Sequence, residues 1–238
     1  MLRDMSDADH NLALDLTAVL REAGAALVGF GDLHDVEGTT LPVGVSVGIP
    51  VPAGVVREIR LAPTAAYAQA YRDLNAQLNA LVLAGERYLT DKGYGALALT
   101  KDRVNEARID RYRTLLPHKT VATRAGLGWI GKSCLLVTPE YGSAVRISTL
   151  LTDAPLPCAQ PVAESRCGRC EQCEKNCPGS AIRGTLWSAG MERSDLLDLS
   201  ACIAHMEVVS QGLEKDLICG ACIAACPYTQ RYLHGVER

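Results

Sequence analysis

The sequence predicts an α+β protein in two parts: a mixed-sheet α/β domain over residues 1–153 and a smaller, cysteine-organised domain over residues 154–238. Two observations predict it. Apolar runs of strand and helix character alternate through residue 152, the pattern of a sheet with helices packed on it. Beyond that point periodicity gives way to cysteine, and eight of the ten cysteines fall between Cys167 and Cys226. Such a density requires a local organising chemistry.

The elements read in order as follows. Residues 9–23 carry Leu12, Leu14, Leu16, Val19 and Leu20 on a stretch without Gly or Pro until Gly24, a helix. Ala26 to Phe30 is a short buried strand, and Leu41 to Val51, β-branched and punctuated by glycine, is a second. Pro63 and Thr64 open a long helix running to about Lys92. Tyr67, Tyr71, Leu74, Leu78 and Leu81 lie mostly at helical spacing on it, and Gly93 stands just past its end. Ala96 to Thr100 is a strand and residues 117–125 a helix. A glycine-rich loop leads to a strand at Cys134 to Thr138. The Tyr141-Gly142 turn then pairs that strand with Val145 to Leu151 as a hairpin. Asp153 to Ser165, with Pro155, Pro157 and Pro161 and no periodicity, reads as the interdomain linker.

The bulk numbers bound the class. The 238 residues, 48% hydrophobic and 21% charged, suffice for a real core. No apolar run approaches bilayer length. Met1 to Asn11 is polar, without the apolar stretch and small-residue cleavage site of a signal peptide, so the expected compartment is the cytoplasm, with no membrane association. In that reducing compartment, ten cysteines argue for metal before disulfides.

The cysteine spacing identifies the metal chemistry. Cys167-x2-Cys170-x2-Cys173-x3-Cys177-Pro178 is the bacterial ferredoxin run, in which three thiolates wrap one [4Fe–4S] cubane and the fourth reaches a second. Cys219, Cys222 and Cys226-Pro227 repeat the spacing of Cys170, Cys173 and Cys177, with Cys202 displaced upstream as the first member. Crossed ligation assigns Cys167, Cys170, Cys173 and Cys226 to one cluster, and Cys177, Cys202, Cys219 and Cys222 to the other. The second domain is therefore expected to be ferredoxin-like. Structural zinc uses separated cysteine pairs, often with histidine, which this run does not match. His205, three residues after Cys202, is read as structural, and Cys134 and Cys158 are left without a role.

Charge follows from that assignment. The formal charge is −3, and eight thiolates with two oxidised cubane cores would bring it to about −7. That excludes a broad basic footprint for DNA. Arg111, Arg113, Lys119, Arg124 and Lys132 are close enough in sequence to form a local basic patch.

Gly126-Leu-Gly128-Trp129-Ile-Gly131-Lys132-Ser133 satisfies both G-x-G-x-x-G and G-x-x-x-x-G-K-S. Each pattern needs a strand before it and a helix after it. Here a helix precedes and a strand follows, so a P-loop and a dinucleotide site are both rejected. Gly126, Gly128, Trp129, Gly131 and Lys132 remain candidates for cofactor contact, offering close backbone approach, a flat apolar face and a cation. The competing reading is a tight turn whose Trp fills the core.

Arg124-Ala-Gly-Leu-Gly-Trp-Ile-Gly-Lys132, Cys134-Leu-Leu-Val137, Gly142-Ser143, Leu150-Leu-Thr-Asp153, both cysteine sets and Cys202-Ile-Ala-His-Met resemble epoxyqueuosine reductase over residues from about 115 to 230. The resemblance implies a cobalamin held on the α/β domain beside two [4Fe–4S] clusters, a cofactor set shared with reductive dehalogenases. It implies electrons passing from cluster to cluster to cobalt, and reduction of an epoxide on a tRNA nucleoside. Two departures matter. The family's D-[ST]-[AG]-P proton-donor motif is absent: Tyr112 stands at the corresponding place, and Asp110 is two positions away. The catalytic residue is therefore unassigned, with His118 a further candidate read as structural. The family also continues into a helical-repeat domain, whereas this sequence stops at Arg238, which with the negative charge disfavours tRNA as substrate. Arg146, where the family tends to be apolar or aromatic, either meets an anion or is an exposed strand residue.

The expected function is a cobalamin-dependent reductase core. It would be served by a low-potential donor such as ferredoxin or flavodoxin, and would act on a small molecule or modified nucleoside. The alternatives are an electron carrier or assembly partner without corrinoid, and tRNA epoxyqueuosine reduction without the repeat domain.

Overall fold

The computed structural model describes residues 7–213 and 217–235. Helix α1 (Asp7–Glu22) has Asp7 and Asp9 in its first turn and Arg21 in its last, matching the helix dipole, and buries Leu16 and Leu20 completely. Strand β1 (Leu27–Asp32) pairs antiparallel with β2 (Val43–Pro50). A short helix α2 (Ala53–Glu58) follows, then the long α3 (Ala65–Asp91). Next come β3 (Ala96–Ala98), α4 (Lys101–Glu106), the small hairpin of β4 (Arg108–Asp110) and β5 (Arg113–Thr114), and α5 (His118–Arg124). Strands β6 (Trp129–Ile130), β7 (Leu136–Val137) and β8 (Val145–Thr152) complete the sheets. The cysteine-rich region folds into α6 (Gln172–Lys175), α7 (Arg193–Leu196), α8 (Leu199–Val209), α9 (Ala221–Ala225) and α10 (Pro227–Gly235).

The chain divides into two compact units that interleave along the sequence. The first takes residues up to Ile49, then Asn75–Leu127 and Arg146–Val162. Its sheet runs β1-β2-β8-β3, with β3 antiparallel to β8. Leu33, Leu116, Val121 and Leu151 form a core cluster there, flanked by Val36, Leu41, Leu97 and Leu99. The second unit takes Pro50–Leu74, Gly128–Val145 and the chain from Ala163 onward. Its backbone is tied across sequence by Ser143 N donating to Thr229 Oγ1 at 3.0 Å and by the Tyr232 hydroxyl donating to the Val51 carbonyl at 3.1 Å.

The α+β class holds, and most elements fall where the sequence places them. Three expectations need correction. The strand after the glycine segment does not pair with Val145 to Leu151. β7 pairs back onto β6, Trp129 opposite Val137 and Ile130 opposite Leu136, while β8 lies between β2 and β3. The glycine-rich segment is therefore one arm of a hairpin. Asp153 to Ser165 is no free linker. Ala154 and Leu156 are buried, and the Asp153, Ala159 and Val162 amides donate to the carbonyls of Gly95, Phe30 and Thr123. Prolines removed the periodic signal there without removing the packing. Finally, α2 and α4 are too short to show helical periodicity and were invisible in the sequence.

Gly128 lies at the open end of the β6–β7 hairpin, against Val137. A Cβ on it would lie 2.1 Å from the Val137 carbonyl oxygen, well inside contact distance. Gly128→Ala should therefore cost about 1–3 kcal/mol as an overpacked site. Gly54→Ala, where an added methyl meets nothing within 4 Å, should be neutral or stabilising by up to about 1 kcal/mol. Denaturant midpoints of the two variants measured side by side check both.

Candidate functional site

The second unit gathers four sulfurs around one hollow. Cys167, Cys170, Cys173 and Cys226 line a cavity of about 220 Å³, with Gly131, Lys132, Arg166 and Tyr228 among its other walls. Local structure explains how each arrives. Gly168, at φ +53°, turns the chain, and the Cys170 amide donates to the Cys167 carbonyl at 3.1 Å. Cys173 sits on α6. Cys226 ends α9, where Pro227 starts α10; a proline at a first helical position forfeits only an amide that has no intrahelical partner.

The other four cysteines are set by the same kind of local device. The Cys177 sulfur accepts from the Ala181 amide at 3.4 Å. Cys202 lies in the first turn of α8, whose Asp198 cap accepts from the Ala201 amide at 3.0 Å. Gly220, at φ +89°, opens α9 between Cys219 and Cys222, a backbone state that glycine adopts without penalty.

Electrostatics report which thiols are neighbours. Burial, then the charges of Cys167, Cys226 and Cys170, pushes Cys173 up to about 11. Burial, then Cys177 and Cys219, raises Cys202. Cys219 is raised first by burial and also by Cys177, and Cys222 is raised most of all, by burial. Among the described residues no three Cys, His, Asp or Glu side chains close on the volume of a single ion. The sulfurs stand around a space instead, and a donor set of four thiolates about such a hollow fits a cubane. His205 leaves its Nε2 buried without a hydrogen-bond partner among the described residues, and its Cβ lies close to Gly179, two residues after Cys177.

The glycine segment divides between tasks. Gly131 and Lys132 line the sulfur cavity, and a Cβ on Gly131 would lie 3.6 Å from the Cys167 sulfur. Trp129 is 1% exposed, packed edge-on against Tyr228 at 4.9 Å, with Arg166 5.6 Å from its ring centre. Gly128 is filled by the Val137 carbonyl. Gly126 belongs to the first unit, beside Ala159. The helix-then-strand order on which the phosphate-loop readings were rejected is what the fold contains.

The remaining candidates do not converge. Asp110 and Tyr112 lie on the β4–β5 hairpin, where Asp110 Oδ1 accepts from the Tyr112 amide at 2.7 Å. Arg124 is held by the Asp35 carboxylate and donates to the Asp32 carbonyl, and Lys132 lies in the second unit. Arg146 donates to Asn75 Oδ1 at 2.8 Å. Cys134 is buried with φ +60° in the β6–β7 turn, and burial, then the Asp32 charge, pushes Cys158 up to about 11.

Comparison with known proteins follows the same division. Residues 166–229 match the 4Fe-4S double cluster binding domain family. The chain is 36% identical over 122 residues to an epoxyqueuosine reductase of Bacillus anthracis, covering 47% of this chain and 29% of that protein. It is 37% identical over 119 residues to one of Listeria monocytogenes, covering 46% and 29%. The alignments thus span less than a third of the length of these relatives. Among solved structures, a reductive dehalogenase described for B12-dependent dehalogenation has a TM-score of 0.69 at 19% identity, over 99% of this chain and 34% of that one. An epoxyqueuosine reductase solved with an epoxyqueuosine-modified tRNA stem loop has a TM-score of 0.60 at 19% identity, over 93% and 66%. About half of the chain is homologous to epoxyqueuosine reductases, and the fold is shared with them and with reductive dehalogenases.

His118 supplies a pH test of the first unit. It stands at the start of α5, with Nδ1 2.9 Å from Thr149 Oγ1 on β8. Burial, with the Arg146 charge, pulls its pKa down to about 4. The unfolded chain therefore binds a proton that the fold does not between about pH 6.5 and about pH 4, and stability falls as pH falls through that window. The loss should reach at most about 3 kcal/mol. Melting temperatures across that range should fall more steeply for the parent than for His118→Asn.

Proposed function

We propose that this chain is the electron-transferring core of a cobalamin-dependent reductase, with Cys167, Cys170, Cys173 and Cys226 holding one [4Fe–4S] cluster and Cys177, Cys202, Cys219 and Cys222 the other. The observation that carries the reading is the cavity on which the sulfur of Cys226 joins those of Cys167, Cys170 and Cys173. Cysteines from both runs share one hollow, as crossed ligation requires. When bound, the clusters supply one-electron transfer, and a corrinoid would supply the reducing centre for the substrate.

The chain's own residues prepare for this. Burial around Cys173 and Cys222 excludes water and keeps the free thiols protonated, so cluster loading must release protons. The Ala181 amide gives Cys177 a hydrogen bond that favours added negative charge. The glycine segment serves the iron–sulfur side: Gly131 lets the β6–β7 turn approach Cys167, and Lys132 follows it into the cavity. In the first unit the Ser46 hydroxyl and the Asn75 amide nitrogen are buried without hydrogen-bond partners among the described residues. The proton donor is not assigned to Asp110, Tyr112 or His118. A modified nucleoside is one candidate substrate class, a small molecule another, and a flavodoxin- or ferredoxin-type protein the class of donor.

Anaerobic reconstitution should load about eight irons per chain and retain added cobalamin after desalting. Iron without retained corrinoid would overturn the reductase reading and leave an electron carrier. Cys167→Ala and Cys226→Ala should each lose the same half of the iron signal, and Cys177→Ala and Cys219→Ala the other half. Electron paramagnetic resonance of the reduced variants tells the two sets apart.

A further inference from the structure

Lys132 occupies a position where a charge needs an answer. It sits in the turn between β6 and β7, only 7% exposed, on the wall of the cavity lined by Cys167, Cys170, Cys173 and Cys226. The turn is fixed at both ends: the Gly131 amide donates to the Leu135 carbonyl, and the Cys134 amide to that of Gly131, each at 2.8 Å. Lys132 thus has little freedom to carry its stem elsewhere. Among the described residues no carboxylate stands within ion-pair distance of its ammonium. It acts weakly on Glu171, but that carboxylate is paired with Lys175 at 2.6 Å.

A lysine whose stem is buried against a wall of sulfurs, with no carboxylate paired to its ammonium, is placed to face an anion at that wall. Four thiolates on a cubane outweigh the core's positive charge, so the loaded site is an anion. One electron from a low-potential donor makes it a larger one, with no bond made or broken. The other cations at this cavity, Arg166 and Arg231, are exposed and lie over the rings of Trp129 and Tyr228. Water screens their fields more fully than that of Lys132, whose side chain is mostly buried.

We infer that Lys132 is the built-in counter-ion of the cluster held by Cys167, Cys170, Cys173 and Cys226, and raises the reduction potential of that cluster above what its four thiolates alone would set. It is a positioning residue for electrons and touches no substrate. The inference rests on the assignment of those four cysteines to a cluster, and it gives the glycine segment a role unrelated to phosphate.

The test uses the reconstituted full chain, with redox titration followed by electron paramagnetic resonance. In Lys132→Met, the reduced-to-oxidised ratio of one cluster at its parent midpoint should fall about tenfold, about 59 mV for one electron. The second cluster should move much less. Lys132→Arg should restore most of the shift. Lys175→Met, which removes an exposed and ion-paired charge, should change the ratio less than about twofold. The inference is overturned if Lys132→Met moves neither midpoint or moves both alike, or if Lys175→Met has an equal effect. Should the Met variant fail to take up iron, Lys132→Gln is titrated in its place. Loss of iron in both neutral variants but not in Lys132→Arg supports the counter-ion role, and loss in all three refutes it. A parent chain that loads no iron would instead refute the cluster assignment beneath.

Discussion

The second unit is organised by one constraint: Cys226 must come back to meet Cys167, Cys170 and Cys173 around a single hollow. Closing so long a loop costs entropy that no single contact offsets. The chain meets that cost by distributed packing. Tyr228 lies edge-on against Trp129, Tyr232 against Tyr141, and Thr229 receives the Ser143 amide. Each of these joins the segment just after Cys226 to the 128–145 segment. The iron–sulfur region therefore borrows a hairpin from the middle of the chain, and residues 50–74 as well, to frame its own cysteines.

That borrowing explains why a pattern of two well-known nucleotide motifs occurs here without their function. Phosphate loops place glycine amides before a helix N-terminus, where the dipole meets the anion. In this fold the same letters form β6 and a turn, with Gly128 giving way to a carbonyl and Gly131 to a sulfur. Glycine is needed for close approach in both settings, but what approaches differs. The lysine that follows the third glycine lies here on a wall of cysteine sulfurs.

The first unit shows the complementary economy. Its sheet is largely apolar, yet His118, Thr149, Arg146 and Asn75 share polar contacts within it. A histidine kept neutral by burial contributes no charge near neutral pH. Its Nδ1 is satisfied by the Thr149 hydroxyl.

The sequence by itself determined the class, the long elements and the iron–sulfur region. Leu16 and Leu20, the run from Val43 to Pro50, and α3 between Pro63 and Gly93 carry periodicities that local physics converts directly into helix or strand. Cysteine spacing is equally local, because three cysteines with two residues between each can wrap one cubane wherever they occur. Tertiary structure alone decided the partners. β7 turns back to β6 because Val137 closes over Gly128, while β8 is claimed by the first unit's sheet. The proline-rich stretch is held by carbonyls far away in sequence, which no composition signals. Lys132 reads as one more basic residue near Arg124 until the fold places it among sulfurs. Whether a charge is screened or buried depends on what surrounds it, and that is settled only when distant parts of the chain have met.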